Sequence, residues 1–340
     1  MQTQLICLAV ALIGGLMLSR VTKLLGLPAV TAYLLAGLVM GPFVIGALQV
    51  PGLGFNSLEQ AEGLGVITQT ALGFIAFTMG NEFRLKQLKT FGAAAICIGA
   101  GQAVITTSLV DAILIGVHFA FPQLLSLPSA LILGAIASAT APAATLMVVR
   151  QYKADGPLTR LLMLVVAIDD AVGLLLFAVS FGIASALSNG QVSVVAVVVE
   201  PLLEIVLSLG LGGLMGLAMH YVEKFFHSRS KRLTISVAFV LLAVSLSSVK
   251  FTLGGIHCGF SLLLVCMMTG TVFCNICPTS EELMERVERW TVPLNVLFFV
   301  ISGAELDLNV LLQPATLIVG VVYILARSMG KYIGANASCH

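Results

Sequence analysis

The sequence predicts an all-α polytopic membrane protein, and three observations lead to that fold class. Hydrophobic residues make up 59% of the 340 residues and charged residues only 10%, whereas about a quarter of the residues in soluble domains are charged. The mean hydropathy is +1.07. Apolar stretches recur along the whole chain, and most approach the length of about 20 residues that a helix needs to cross a bilayer. This composition excludes an ordinary soluble domain.

Eleven apolar stretches are candidate transmembrane spans. The first has no basic residue before it and two directly after it, the reverse of a secretory signal peptide, so we interpret it as a retained span. We treat residues 1–340 as one transmembrane domain. The candidate spans cover residues 4–19, 28–46, 62–80, 91–118, 128–149, 161–186, 201–222, 233–249, 256–273, 292–304 and 312–335.

Basic residues lie mostly in the loops that follow odd-numbered spans. Lys250 is the only basic residue in the loops that follow even-numbered spans. Because cytoplasmic loops carry an excess of Lys and Arg, we expect a multi-pass protein of the cell membrane with its N-terminus outside and its odd-numbered loops in the cytoplasm. The net charge of +1 gives no bulk attraction to nucleic acid, so we expect membrane lipid, and no nucleic acid, among the partners.

Two adjacent carboxylates lie in the middle of the sixth span. Asp169 and Asp170 are the only charged residues between positions 161 and 199. One ionised carboxylate at the centre of a membrane helix costs about 2.5 to 3.5 kcal/mol on insertion scales, so a proton or a cation must compensate the pair. Adjacent helical residues point about 100° apart, so the two carboxylates face different partners. We predict a site at which protons compete with a small cation such as Na⁺.

A proline interrupts the fifth span within Ser138-Ala139-Thr140-Ala141-Pro142-Ala143. Proline leaves the carbonyl of Ser138, four residues earlier, without its helical partner. Broken helices at membrane depth are tolerated where they line a cavity or a polar site. The freed carbonyls and the hydroxyls of Ser138 and Thr140 are therefore candidate cation ligands. The alternative is a proline kink satisfied by neighbouring helices, but the nearby aspartates favour a site.

Lys331 lies about twenty residues into the last span and is the expected countercharge for the carboxylates, because a desolvated lysine is costly unless it is paired. In the alternative, the last helix begins early, and Lys331 and Arg327 extend to its cytoplasmic end. Asp111, near the expected outer boundary of the fourth span, is interpreted as a solvated helix end.

Two short segments indicate an internal repeat. Gly80-Asn81-Glu82-Phe83-Arg84-Leu85 aligns with Gly303-Ala304-Glu305-Leu306-Asp307-Leu308 at an offset of 223 residues, and each segment closes a span. The expected topology puts the two copies on opposite sides of the membrane, as in the inverted repeats of many secondary transporters. We expect a first repeat over 28–186, linking or scaffold helices over 201–249 and an incomplete second repeat over 256–340.

Residues 275–290 interrupt the apolar pattern after the ninth span. Thr279 and Glu282 have the spacing of a capping box, and Leu283, Met284, Val287 and Trp290 share one helical face. We predict an amphipathic helix on the cytoplasmic surface; the alternative is a solvated connector. Cys274 and Cys277 have CxxC spacing, but without a second pair or a nearby histidine they do not indicate a metal or redox centre.

Together these features resemble the bacterial monovalent cation:proton antiporter family, the sodium/hydrogen exchanger domain in its paired-aspartate branch. The resemblance runs through nearly the whole chain. It rests on the segments Leu27–Gly37 through Gly41-Pro42, Ala139–Ala143, Ile168-Asp169-Asp170, Phe298–Leu308 and Gly330-Lys331.

The resemblance implies a dimeric secondary transporter with an inverted-repeat antiporter fold, in which a core bundle moves against a scaffold in alternating access. It implies that Asp170 is the shared cation and proton carrier, that Asp169 is the partner of Lys331, and that Thr140 contributes from the broken helix. It also implies electrogenic exchange without a cofactor. Na⁺ is the expected cation, with Li⁺ and K⁺ as alternatives, and we expect no other metal ion.

The family pattern continues with a second broken helix after the lysine helix. Shifting residues 128–149 by the repeat offset of 223 residues places its counterpart near 351–372, so we expect a C-terminally truncated antiporter. The alternatives are a non-transporting membrane remnant or subunit and a sodium-coupled symporter of related fold, against which the two aspartates and Lys331 argue. No nucleophile, acid/base group and orienting group occur together elsewhere, so we expect no enzyme activity.

Overall fold

The computed structural model describes residues 2–189, 199–253 and 256–338, which are almost entirely helical. Short 3₁₀ turns at Gly46–Leu48 and Gly80–Phe83 connect some of the helices. The α-helices are α1 (Gln2–Leu24), α2 (Ala29–Met40), α3 (Leu58–Glu62), α4 (Gly65–Met79), α5 (Leu85–Ala120), α6 (Leu127–Ser138), α7 (Pro142–Gln151), α8 (Pro157–Asn189), α9 (Glu200–Glu223), α10 (Arg229–Ser247), α11 (Leu262–Ile276), α12 (Ser280–Trp290), α13 (Val292–Ala304), α14 (Leu308–Leu311) and α15 (Pro314–Ser338).

The predicted break in the fifth span is confirmed, because α6 ends at Ser138 and α7 begins at Pro142. Ser126 starts α6, and its hydroxyl accepts a hydrogen bond from the backbone N–H of Ser129. Pro142 fits the first turn of α7, where a helix needs no backbone donor. Local sequence therefore sets where α6 and α7 begin.

The predicted span over 256–273 is wrong at its start. Strand β1 (Phe251–Leu253) pairs with β2 (Ile256–Cys258) in an antiparallel ladder, so the fold is not purely helical. The strands contain aromatic and β-branched residues, which favour extended backbone. Helix α11 begins only at Leu262, where the Ser261 hydroxyl caps it by accepting from the N–H of Leu264.

Five helices within the described ranges are long and apolar enough to cross a membrane. Several shorter apolar helices, such as α2, α4, α11 and α13, accompany them. The number of spans therefore stays a prediction. The five long segments are Gln4–Leu24, Gly92–Ala120, Leu202–Glu223, Arg229–Ser247 and Pro314–Ser338.

The helices pack in two groups. In the first, which we call the core bundle, α5 packs along α6, α8 and α15, and α7 joins α8. In the second, which we call the scaffold, α11 packs on α4, α9 and α10, and α13 packs on α1, α2 and α4, with α12 against α4, α10 and α11. Helix α7 contacts α2 and α4 and so links the two groups.

Glycines bring scaffold helices into backbone contact, as two of their crossings show. At the crossing of α2 and α13, a methyl group on Gly37 would lie 1.9 Å from a carbonyl oxygen of α13, and one on Gly303 would lie 2.2 Å from a carbonyl oxygen of α2. Gly270 and Gly80 make the corresponding crossing of α11 with the end of α4, with distances of 2.0 and 2.4 Å. Any side chain at these positions would force the helices apart.

Helix α12 confirms the predicted amphipathic helix, but the capping box does not form. Thr279 has no side-chain cap hydrogen bond; its hydroxyl lies 3.4 Å from Glu223 Oε1 of α9. The apolar face around Leu283 and Val287 is buried against protein, whereas Trp290 is 44% exposed. The helix is therefore a packed part of the scaffold rather than a solvated connector.

Candidate ion-binding site

The site is built around the break between α6 and α7. Ala139 and Ala141, on either side of Thr140, adopt extended backbone conformations. The carbonyl end of α6 and the amide end of α7 therefore both face the interruption. These ends carry partial negative and partial positive charge, respectively, so the break can hold charged groups that a continuous helix could not.

Asp169 of α8 reaches the break and is fully buried. Its Oδ2 accepts hydrogen bonds from the Thr140 hydroxyl at 2.6 Å and from the Lys331 ammonium of α15 at 2.7 Å. The Lys331 ammonium also donates to Thr140 Oγ1 at 2.9 Å and to the carbonyl oxygen of Ser138. The α6–α7 break, α8 and α15, which are distant in sequence, thus meet at one carboxylate oxygen.

The other oxygen of Asp169, Oδ1, is buried and has no hydrogen-bond partner within the described part of the chain. An unsatisfied acceptor on a buried charged group costs about 1 to 3 kcal/mol or more. Oδ1 is therefore a free acceptor that a proton, a cation or water would satisfy.

Two further candidate ligands, Asp170 and Ser138, belong to α8 and to the end of α6. Asp170 follows Asp169 on α8, but its side chain lies outside the described part of the structure. The Ser138 hydroxyl is buried and donates to the carbonyl oxygen of Ala135, one turn earlier in α6, at 2.7 Å. Its donor is thus used inside the helix, and only the lone pairs of the oxygen remain for a cation.

Arg327 also contributes to the site, although it is not among the residues that the sequence predicts there. Its guanidinium donates to the carbonyl oxygens of Ala137 and Ala139 at 3.2 and 2.7 Å. The alternative that Arg327 and Lys331 merely extend to a helix end is therefore wrong. Their spacing of four residues was the available signal, because it places both on one face of a helix.

Asp111 of α5 is not a solvated helix end. Its Oδ1 is buried and, in the described ranges, has no hydrogen-bond partner. A methyl group added to Gly134 of α6 would lie 1.7 Å from this oxygen. The helix–helix contact of α5 and α6 thus encloses a second carboxylate, one turn before the break.

A cavity of about 410 Å³ opens beside the break. Thr140, Tyr323 and Arg327 contribute to its lining, together with Ile136 and Pro142. The cavity lies on the Thr140 side of the polar cluster.

Comparisons with known proteins agree with this architecture. The family model described as sodium/hydrogen exchanger, transmembrane, matches residues 8–338. Two solved structures of the sodium proton antiporter MjNhaP1 from Methanocaldococcus jannaschii are similar, each with 20% sequence identity and 98% of this chain covered. The structure at pH 8 has a TM-score of 0.71 with 78% of its chain covered, and the electron-microscopy structure has 0.73 with 77% covered. At this identity, the likeness shows a common fold.

Proposed function

The chain belongs to the sodium/hydrogen exchanger family, and we propose that it exchanges a monovalent cation, Na⁺ before Li⁺ or K⁺, for protons by alternating access. The observation that carries this proposal is the contact of the buried Asp169 with Thr140 and Lys331 at a helix break. A buried ion pair at membrane depth is costly to maintain. Such groups mark ion pathways and proton relays in membrane proteins.

We assign the role of shared cation and proton carrier to Asp170. Lys331 neutralises Asp169, whose Oδ2 already has two donors. Adjacent helical positions are about 100° apart, so position 170 lies on a different face of α8 from Asp169. A proton bound there excludes a cation and a cation excludes a proton, which couples the two fluxes. Asp169, Thr140 and Ser138 are proposed as further ligands at the break.

The proposed inverted repeat accounts for the glycine crossings. If α4 and the following turn correspond to α13, and α2 corresponds to α11, the crossing of α2 with α13 maps onto the crossing of α11 with α4. Gly80 and Gly303 then occupy equivalent positions, as the sequence offset predicts. The close packing of α5 along α15 fits the same symmetry. We propose the repeat boundaries given by the sequence, and a homodimer as in the family pattern.

Ion pairs support the proposed topology. The positive-inside pattern places the loops after spans three, five, seven and nine in the cytoplasm. Residues from those four loops meet at α12, which forms ion pairs with three different partners: Arg84–Glu281 at 3.2 Å, Arg150–Glu288 at 2.8 Å and Arg229–Glu282 at 3.1 Å. The loops therefore lie on one side of the molecule, as the proposed topology requires.

The test is cation-dependent proton flux in proteoliposomes that contain the 340-residue chain. Addition of Na⁺ should dissipate an imposed pH gradient with the wild type and with the control variant Asp155→Asn, whose side chain is exposed. The flux should vanish with Asp170→Asn. Wild-type flux from Asp170→Asn would contradict the carrier assignment, and no cation-dependent flux from the wild type would favour a non-transporting membrane subunit. Na⁺ uptake without proton countermovement would instead indicate a symporter.

A further inference from the structure

A carboxylate that the proposed exchange does not use is enclosed in the core bundle, away from the break. Asp111 lies in the last third of α5, on the side where this helix packs on α6. Its Oδ1 is buried and has no hydrogen-bond partner among the described residues. A buried ionised oxygen needs donors to replace the water that it loses on folding. Asp111 Oδ1 therefore lacks what an ionised carboxylate requires.

Helix α6 makes room for this carboxylate at Gly134. A methyl group there would lie 1.7 Å from Asp111 Oδ1 and 3.3 Å from the backbone nitrogen of Asp111. Glycine thus lets the two helices approach closely enough to cover the oxygen. Val110 and Leu114, next to Asp111 along α5 and one turn ahead of Val110, are apolar and fully buried. An ionised group is costly in such apolar surroundings.

Thr107 is the neighbour of Asp111 on the same face of α5, one turn earlier. Its hydroxyl is also buried and, within the described ranges, has no hydrogen-bond partner. Two side chains are few for a buried water, which typically makes about three hydrogen bonds. They are too few for a hard cation such as Ca²⁺, which takes about six to eight oxygen ligands. A proton needs a single acceptor, so it is the ligand that fits this contact.

The charged groups on the neighbouring helices are engaged elsewhere. Helix α6 has no titratable side chain. The titratable side chains of described residues around this part of the bundle are His118 of α5, Asp169 of α8, and Tyr323, Arg327 and Lys331 of α15. His118 bonds to the carbonyl oxygen of Leu125, Lys331 pairs with Asp169, and Arg327 donates to the carbonyls of the break. In the described part of the chain, Asp111 has no countercharge among them.

We propose that Asp111 is a second proton-binding site of the core bundle, separate from the carboxylates at the break. A bound proton removes the charge of the carboxyl group and gives it an O–H donor. Asp111 as a whole is only partly buried, so the proton can be taken from water and returned to it. This assignment does not depend on the proposed exchange function.

The charge of Asp111 acts on the cation site across one turn of α6. Gly134, which covers Asp111, lies one turn before Ser138, and the carbonyl oxygen of Ser138 accepts from Lys331 at the break. Release of the proton places a negative charge on the order of 10 Å from a cation at the break, which at an effective dielectric constant of about 20 strengthens cation binding about tenfold. This consequence rests on the proposed function.

The first test is infrared spectroscopy of the full chain in detergent during a pH titration. The C=O band of a protonated carboxyl group reports the proton directly, and Asp170→Asn is the background so that the proposed carrier does not contribute. We expect an acid band that disappears as the pH rises, is absent from Asp111→Asn, and is retained by the matched control Asp155→Asn, whose carboxylate is exposed. An equal band in Asp111→Asn, or no titrating band, would overturn the inference.

A labelled protein keeps this test decisive if Asp111→Asn does not fold. Aspartate labelled with ¹³C at the side-chain carboxyl is then incorporated into the Asp170→Asn protein. We expect the label to shift the titrating acid band, because the band belongs to an aspartic acid. A band that the label does not move would overturn the inference.

The second test is the Kd for Na⁺, from the Na⁺-dependent rise in unfolding temperature, on either side of the pH at which the acid band disappears. Below that pH, wild type and Asp111→Asn should have the same Kd. Above it, Asp111→Asn should bind Na⁺ about tenfold more weakly, because it lacks the negative charge. Equal Kd values at both pH values would overturn the coupling to the break. A wild type that does not bind Na⁺ would contradict the proposed function, while the infrared result would still decide whether Asp111 binds a proton.

Discussion

The scaffold is closed by glycines at which helix backbones touch, whereas the core bundle is held at the α6–α7 break by polar side chains that replace missing backbone hydrogen bonds. At Gly303 of the scaffold there is no room for a methyl group. At the break, Arg327 and Lys331 donate to the freed carbonyls, and Lys331 also donates to Asp169 Oδ2. The crossing of α2 with α13 therefore depends on shape and the α6–α7 break on charge, so equally small substitutions at the two places should have different effects.

The largest effect should follow the loss of Lys331. Lys331→Gln leaves Asp169 as a buried carboxylate without its countercharge, which costs about 3 to 5 kcal/mol of unfolding free energy and should abolish exchange. The double variant Asp169→Asn/Lys331→Gln removes both charges and should recover most of that stability without recovering exchange. Thermal unfolding in detergent measures both variants. A double variant as unstable as the single one would show that charge does not hold the core bundle together.

At the crossing of α2 with α13 in the scaffold, a small substitution should instead destabilise the protein by steric clash. Gly303→Ala places a methyl group 2.2 Å from the carbonyl oxygen of Leu34, and the forced separation of α2 and α13 should cost about 1 to 3 kcal/mol. The control is Gly213→Ala in α9, where a methyl group meets nothing within 4 Å; it should be neutral or gain up to about 1 kcal/mol from helix propensity. Unfolding temperatures of the two proteins measure the difference. Equal temperatures would contradict the backbone contact.

A smaller effect should arise where the two regions meet. The ion pair between Arg150 Nη2 of α7 and Glu288 Oε1 of α12 spans 2.8 Å from core bundle to scaffold. If the core bundle moves during exchange, Glu288→Gln removes a contact that resists this motion and should raise the exchange rate about twofold, with less than about 1 kcal/mol of lost stability. Initial rates of Na⁺-dependent flux measure the change.

The matched control for Glu288 is Glu285→Gln, because Glu285 pairs with Arg289 on the same helix. It removes one charge from α12 without touching the core bundle and should leave the rate unchanged. The same rate increase in both variants would mean that the charge of α12, and not its link to α7, sets the rate.

The smallest effect should appear at the end of α13. Burial, with a smaller contribution from nearby Glu62, raises the pKa of Glu305. The folded protein therefore holds this proton more tightly than the unfolded chain, so stability falls as pH rises through the raised pKa. Glu305→Gln should raise the free energy of unfolding at pH 8 by less than about 0.5 kcal/mol after solvent screening, measured as a small rise in unfolding temperature. It should give no gain near pH 4. An equal gain at both pH values would show that ionisation is not the cause.

The parts of the fold that sequence could predict have local causes. Pro142 lacks a backbone donor, so the break at α6 follows from one residue. The cost of a lone charge in a membrane helix made Lys331 the expected countercharge of the two carboxylates, and the family resemblance implied that Asp169 is its partner. The role of Asp170 stays a prediction that the flux experiment tests.

The parts that sequence could not predict depend on neighbours distant along the chain. Arg327 lies four residues before Lys331, which places both on one helix face, but this spacing does not identify the backbone carbonyls that accept from Arg327. The Thr279 hydroxyl does not cap α12; it accepts from Arg232 and donates to Glu223, 56 residues earlier in the chain. The pairing of β1 with β2 was not predicted, because the span was assigned from the average hydropathy over 256–273. That average takes no account of the preceding sequence Gly254-Gly255, a dipeptide typical of tight hairpin turns.

The most direct test of the account is the rate of Na⁺-dependent proton exchange per folded molecule, measured in parallel for Asp170→Asn in the core bundle and Gly303→Ala in the scaffold. We expect Asp170→Asn to yield normal amounts of folded protein with no exchange, and Gly303→Ala to yield less folded protein with a near-normal rate per molecule. Wild-type exchange by folded Asp170→Asn would contradict it.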